Sequence, residues 1–101
     1  MDAQREVAAF VTANDLSAPP AYRALDLVSE VGELSKAVCE STDYGTAPDD
    51  VAVPEDELGD ALFSLLALAE GLDVDAEAAL GSALAKYERR IGETGSPDSG
   101  N

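Results

Sequence analysis

Apolar residues recur along the chain at intervals of three and four, the spacing of one face of a helix. Alternation of apolar and polar residues, the pattern of a half-buried strand, is not found. The pattern therefore predicts an all-α fold of four helices. Prolines, glycines and a capping residue set the helix bounds at about 2–14, 20–42, 54–70 and 73–91, with Asp73 as the N-cap of the fourth helix.

The third predicted helix is apolar around most of its circumference. Its polar strip, formed by Glu57, Asp60 and Ser64, lies opposite Leu62 and is only about 60° wide. A helix of this kind is normally surrounded by other helices. We therefore expect the four helices to pack further against neighbours in an oligomer.

The length of 101 residues fits one domain, which we place at 1–91. The tail 92–101 is rich in Gly, Ser and Asp, and we expect it to be disordered. Cys39 is the only cysteine, so an internal disulfide framework is excluded. No signal peptide or membrane-spanning segment is predicted, and we expect a cytoplasmic protein with no membrane partner.

The net charge of −15 argues against binding to a nucleic-acid polymer, whose backbone is also anionic. Such a surface is typical of proteins that work at high salt, and an acidic partner-binding surface is the alternative. Histidine is absent, which removes Ser-His-Asp catalysis and the usual zinc ligand sets. Acid–base or metal chemistry must then fall mainly to carboxylates.

Two pairs of acids with the same spacing are the strongest chemical signal. Glu30 and Glu33 lie on one face of the second helix, and Glu57 and Asp60 lie on one face of the third. Close carboxylates repel one another unless some are protonated or a cation joins them, and all-oxygen ligands favour Mg²⁺ or Mn²⁺. In so acidic a chain such pairs also arise by chance, and the pattern alone leaves both interpretations open.

The segments E-V-G-E-L (30–34) and E-D-E-L-G-D-A-L-F (55–63) resemble the E-x-x-E…E-x-x-D signature of MazG-like nucleotide pyrophosphohydrolases. The resemblance extends from about residue 22 to a basic helix end at 86–90. Many relatives carry a further acid before the first motif glutamate, where this chain has Ser29. That difference bears on whether a second metal ion is held.

The resemblance implies an all-α, Mg²⁺-dependent enzyme that hydrolyses nucleoside triphosphates between the α and β phosphates, and a homodimer or homotetramer. It implies a role in clearing nucleotide pools. It also implies that Lys86 and Arg90 bind substrate phosphates. Glu33 is the expected general base, with Glu30 as a second catalytic residue. The metal ligands implied are Glu30, Glu33, Glu57 and Asp60.

Two alternatives remain open at this point. One is phosphoribosyl-ATP pyrophosphohydrolase, although members of that group carry a histidine after the second motif's aspartate and this chain has none. The other is a non-catalytic helical module for dimerisation or interaction, which the apolar circumference of the third helix favours.

Overall fold

The computed structural model describes residues 2–98, and within them the chain forms four α-helices and no strand. The all-α fold class is therefore confirmed. A single-turn 3₁₀ helix lies in the connection between the second and third helices, where the sequence pattern predicted only a loop. The elements are α1 (Asp2–Ala13), α2 (Pro20–Ser41), the 3₁₀ helix (Pro48–Asp50), α3 (Glu55–Gly71) and α4 (Ala76–Thr94).

Helix α3 lies at the centre of the fold and packs against α2 and α1. Its residues Leu66, Ala67 and Ala69 are the buried apolar core. On the α1 side, the rings of Phe10 and Phe63 meet edge to face with centroids 5.9 Å apart, an arrangement favoured by the ring quadrupoles. These contacts fix α3 between its two neighbours.

The end of α3 lies against the start of α2. A Cβ atom at Gly71 would stand only 3.2 Å from Cγ of Pro20, so this close approach suits a residue without a side chain. The two helices therefore run antiparallel. This pairing brings the middle of α2 level with the first turns of α3, where the two acid motifs lie.

The start of α4 corrects the sequence prediction. Asp75, and not Asp73, is the N-cap, because its carboxylate accepts hydrogen bonds from the N–H groups of Glu77 and Ala78 (2.9 and 3.3 Å). Asp73 lies in the preceding turn with φ 56°, a left-handed conformation that Asp tolerates better than most residues. Both aspartates precede the same apolar pattern, so the pattern alone does not select between them.

The end of α4 extends to Thr94, so the first three residues of the predicted tail are helical. Gly95 ends the helix at φ 78°, and its N–H donates to the carbonyl oxygen of Ile91 (2.8 Å). Residues 99–101 of the predicted tail lie outside the described residues.

The side chain of Gln4 links α1 by hydrogen bonds to the connection between α3 and α4. Its side-chain amide donates to the carbonyl oxygen of Val74 and accepts from the N–H of Ala76, both at 2.8 Å, and the residue is only 5% exposed. The sequence analysis did not single out Gln4. The signal was a polar residue on the apolar face that also carries Val7 and Val11.

Large apolar faces of α3 and α4 are not covered by the chain itself. Leu62, the centre of the apolar face of α3, is 50% exposed, and α4 packs along none of the other helices. Within one chain α3 is therefore only partly covered, and the further packing in an oligomer stays a prediction. The radius of gyration, 16.5 Å, exceeds the roughly 13 Å of a compact domain this long.

Across residues 2–98, no helix combines the length and apolar character needed to cross a membrane.

Candidate functional site

The antiparallel packing of α2 and α3 brings the two acid motifs together. Carboxylate oxygens of Glu30, Glu57 and Asp60 lie within 4.8 Å of one another, close enough to share one metal ion. Glu30 and Glu57 are partly buried, whereas Asp60 is exposed. We call these three residues the carboxylate cluster. Glu33, the fourth predicted ligand, is exposed and stands outside this group of three.

The pKa of the Glu57 carboxyl is raised above its ordinary value of 4.5. Loss of solvent around the group is the largest cause, followed by the negative charge of Asp56. Asp60, Glu33 and Glu30 raise it further, which places Glu33 within electrostatic reach of the cluster. The sequence analysis gave Asp56 no role; its position next to Glu57 was the available signal.

No basic side chain in residues 2–98 forms an ion pair with the cluster. Arg5 pairs with Asp2 and Arg23 with Asp26, at other places on α1 and α2. Three close carboxylates without a cationic neighbour are electrostatically unfavourable, and a bound cation relieves the repulsion. Their donor atoms are all hard oxygens, which fits Mg²⁺ or Mn²⁺ and does not fit metals that prefer sulfur or imidazole.

The two predicted phosphate-binding residues lie away from the cluster in the single chain. The ammonium group of Lys86 stands over the ring of Tyr87, 5.2 Å from its centroid. The guanidinium of Arg90 donates to the carbonyl oxygen of Pro97 at 3.3 Å. Because α4 packs along neither α2 nor α3, neither contact brings these cations to the acids.

Two clefts on the surface of residues 2–98 are well formed, and neither of them is lined by any of the four predicted acids. The first, about 270 Å³, lies between α1 and the end of α3 and includes Val11, Arg23 and Glu70. The second adjoins it near Gln4 and Asp73. Glu70 lies about 15 Å along α3 from Asp60, because a helix rises 1.5 Å per residue. In one copy of the chain, the cluster therefore lies outside both clefts.

The structure thus defines an all-α domain in which two antiparallel helices bring together carboxylates that could hold a hard cation. The family model of the MazG nucleotide pyrophosphohydrolase domain matches residues 21–93 of this chain. The chain therefore belongs to the MazG nucleotide pyrophosphohydrolase family. Neither the curated proteins nor the solved structures gave a match.

The family match covers α2, α3 and almost all of α4, together with the four acids, Lys86 and Arg90. Helix α1 lies outside it. The family resemblance seen in the sequence is thus confirmed. The contacts of Phe10 and Gln4 with the rest of the fold come from the segment beyond the match.

Proposed function

We propose that this protein is a Mg²⁺-dependent nucleoside triphosphate pyrophosphohydrolase. The reaction cleaves the bond between the α and β phosphates and releases a nucleoside monophosphate and pyrophosphate. The observation that carries the proposal is the cluster of Glu30, Glu57 and Asp60, which a chain of this family brings within 4.8 Å without a basic partner. Clearing nucleotides from the cytoplasmic pool is the role that such a reaction would serve.

Under this proposal the three cluster carboxylates hold the metal ion, and Glu33 is the fourth proposed ligand. When bound, Mg²⁺ neutralises the phosphates and makes a nearby water more acidic. Glu33 is exposed and stands outside the group of three, so its carboxylate is free to accept the proton of the attacking water. Glu30, three residues before Glu33 on the same helix, is proposed as the second catalytic residue.

Lys86 and Arg90 are proposed to bind the pyrophosphate portion of the substrate. They are four residues apart on α4, and cations there would stabilise negative charge that develops on the leaving group. This role requires α4 to reach a carboxylate cluster, which it does not do within one chain. We therefore include a homo-oligomer, a dimer or tetramer, in the proposed function.

The direct test is incubation of the purified protein with ribo- and deoxyribonucleoside triphosphates and Mg²⁺ at low and high salt, with phosphorus NMR of the products. Monophosphate plus pyrophosphate is the expected result. Diphosphate plus orthophosphate would contradict the proposed bond. Parallel reactions with phosphoribosyl-ATP separate the proposed activity from the alternative pyrophosphohydrolase.

A non-catalytic interaction module is the second candidate, and the uncovered apolar faces of α3 and α4 favour it. A scaffold gains nothing from three close carboxylates, which lower its stability. Absence of turnover on every nucleotide, in a protein shown to be folded and assembled, would favour this candidate.

A further inference from the structure

The cleft between α1 and the end of α3 combines apolar walls with two side chains of opposite charge. Val7 and Val11 of α1 and Ala67 of α3 line its apolar part. Arg23, in the first turn of α2, and Glu70 add a guanidinium and a carboxylate to the same lining. Apolar walls with a few polar groups are typical of small-molecule sites. We call this space the α1–α3 cleft.

The two charges of the α1–α3 cleft do not neutralise each other. Arg23 pairs with Asp26 at 4.0 Å and donates to the carbonyl oxygen of Leu16, and within residues 2–98 no ion pair joins it to Glu70. A guanidinium has five N–H donors, so these contacts occupy only part of them. The side chain of Arg23 is only 12% exposed, which strengthens its remaining hydrogen bonds to a ligand. A ligand with acceptors for Arg23 and donors for Glu70 would bridge the two.

The α1–α3 cleft continues from the carboxylate cluster along the helix faces that hold the cluster. Arg23 precedes Glu30 by seven residues on α2, and Ala67 follows Asp60 by seven residues on α3. Seven residues make nearly two full turns, so each pair shares a helix face and lies about 10.5 Å apart along the axis. Because α2 and α3 are antiparallel, both steps lead in the same direction. An extended nucleotide separates its base from its phosphates by a comparable distance.

The size of the α1–α3 cleft suits a single base. Its volume of about 270 Å³ is just below the roughly 300–1,000 Å³ of pockets that bury a whole drug-sized ligand. A base placed in it would therefore leave the sugar and phosphates outside, on the side of the carboxylate cluster. The apolar side chains of α1 and α3 would then cover the two faces of the ring.

Guanine matches the two charged groups better than the other common bases do. Its O6 and N7 atoms accept a pair of hydrogen bonds from one arginine. On the neighbouring edge, its N1–H and 2-amino groups donate a pair of hydrogen bonds, and a carboxylate such as that of Glu70 accepts without donating. Adenine, cytosine and uracil lack this pair of donors.

We propose that the α1–α3 cleft is a guanine-binding site, in which Arg23 binds O6 and N7 and Glu70 accepts from N1–H and the 2-amino group. Helix α1, which supplies Val7 and Val11, lies outside the family match, so one wall of the site comes from the segment beyond that match. Binding of guanine stands on the cleft alone. Its place as the base subsite of a triphosphate substrate also rests on the proposed function.

Nucleoside binding in EDTA tests the α1–α3 cleft without metal or turnover. In calorimetric titrations, the wild type should bind guanosine at least about tenfold more tightly than adenosine, because only guanine completes both pairs of hydrogen bonds. Inosine, which lacks the 2-amino group, should bind with an affinity between the two. Guanosine should also shift the methyl NMR signals of Val11 and Ala67. Equal affinity for guanosine and adenosine, or no binding of either, would overturn the inference.

The variant Glu70→Gln tests which group selects the base. Glu70 is exposed and forms no ion pair within residues 2–98, so the variant should fold as the wild type does. A glutamine presents one donor and one acceptor, the combination that pairs with adenine. The variant should therefore bind guanosine at least about tenfold more weakly and adenosine more tightly. An equal loss for both nucleosides would contradict selection by Glu70.

Glu6→Gln is the matched control, because it removes the same charge at an exposed position of α1 that lines neither cleft. This variant should keep the wild-type preference for guanosine. A loss of that preference in Glu6→Gln equal to the loss in Glu70→Gln would assign the effect to net charge and overturn the role of Glu70.

Turnover separates the guanine site from the proposed function. With Mg²⁺, the ratio of kcat/KM for GTP to that for ATP should fall in Glu70→Gln. Guanosine binding with no turnover of any triphosphate would support the guanine site and contradict the proposed enzyme. Wild-type turnover of GTP and ATP at equal kcat/KM, with no guanosine binding, would overturn the guanine site and leave the pyrophosphohydrolase proposal in place.

Discussion

Partial burial and neighbouring negative charges both raise the pKa of Glu57. Its raised pKa means that the folded, metal-free protein holds the Glu57 proton more tightly than the unfolded chain does. The native state consequently loses stability relative to the unfolded state as pH rises from the ordinary value of 4.5 through the raised pKa. Below that range both states are protonated, and the penalty disappears.

The corresponding prediction concerns the difference in melting temperature between the wild type and Glu57→Gln. In EDTA, the variant should gain thermal stability relative to the wild type as pH rises above 4.5, because it never ionises at this position. Melting temperatures across pH 4–7 measure this directly, with Glu55→Gln as the control in the same turn of α3. A constant difference across this range would contradict the raised pKa.

A second residue-scale prediction concerns Mg²⁺. The wild type should be stabilised by millimolar Mg²⁺, by about 2.7 kcal/mol at a hundred times the dissociation constant. Glu57→Gln should lose most of this stabilisation and lower turnover at least about a hundredfold, because a ligand that positions the metal is missing. Glu55→Gln, which changes charge equally outside the cluster, should keep both properties. Equal Mg²⁺ stabilisation of the two variants would argue against a metal site at the cluster.

The sequence predicted three members of the cluster because acids three residues apart share a helix face. It did not separate Glu33 from them, since the rotation of α2 about its own axis is set by the packing of α2 against α3. The apolar pattern fixes this rotation only to within part of a turn. Tertiary packing therefore decides which acids meet and which stand apart.

At the scale of elements, the turn before α4 provides a matched pair of substitutions. Asp75→Ala should cost about 0.5–2 kcal/mol, because the N-cap hydrogen bonds to Glu77 and Ala78 are lost. Asp73→Gly should be neutral or stabilising, because glycine adopts the positive φ of this position without a steric penalty. Urea unfolding of both variants measures the two effects. A larger loss at Asp73 than at Asp75 would show that the helix starts where the sequence pattern placed it.

Gln4 offers a further test of how α4 is held. Gln4→Ala should destabilise the protein by about 1–3 kcal/mol, because Val74 and Ala76 then lose their buried hydrogen-bond partner. Gln4→Glu keeps an acceptor for the N–H of Ala76 but has no donor for the carbonyl oxygen of Val74. This variant should also lose a substantial part of the free energy of unfolding. Arg5→Ala, next in the chain and exposed, serves as the control in the same urea titration. Similar unfolding of Gln4→Ala and Arg5→Ala would contradict the role of Gln4.

Most helix bounds were predictable to within one or two residues because prolines and glycines interrupt the apolar pattern. The direction of α4 was not predictable. Its apolar residues Leu80, Leu84, Tyr87 and Ile91 indicate only that one face of the helix packs against another helix. The pattern does not indicate whether that other helix is α3 of the same chain or of another copy. That choice depends on the turn around Val74, which Gln4 fixes from seventy residues away.

On the scale of the whole molecule, two properties oppose each other. Exposed apolar rows favour association of copies, whereas a net charge of −15 on each copy opposes it. We call these rows the α3 stripe (Leu58, Leu62 and Leu65) and the α4 stripe (Leu80, Leu84, Tyr87 and Ile91). Repulsion between charged surfaces depends on ionic strength, because the screening length falls from about 10 Å at 0.1 M salt to about 3 Å at 1 M. Apolar contact between the stripes does not weaken over the same range. Salt should therefore shift the balance towards the assembled state.

The last prediction follows from this balance. Sedimentation velocity at a fixed protein concentration should show the dimer fraction rising between about 0.1 M and 1 M KCl. Leu84→Gln keeps the net charge but removes an apolar side chain from the α4 stripe, so it should remain largely monomeric throughout. Any gain in the melting temperature of that variant with salt then reports repulsion within one copy, and the additional gain of the wild type reports assembly. A wild-type dimer fraction that falls with salt would mean that ion pairs, and not the apolar stripes, hold the copies together.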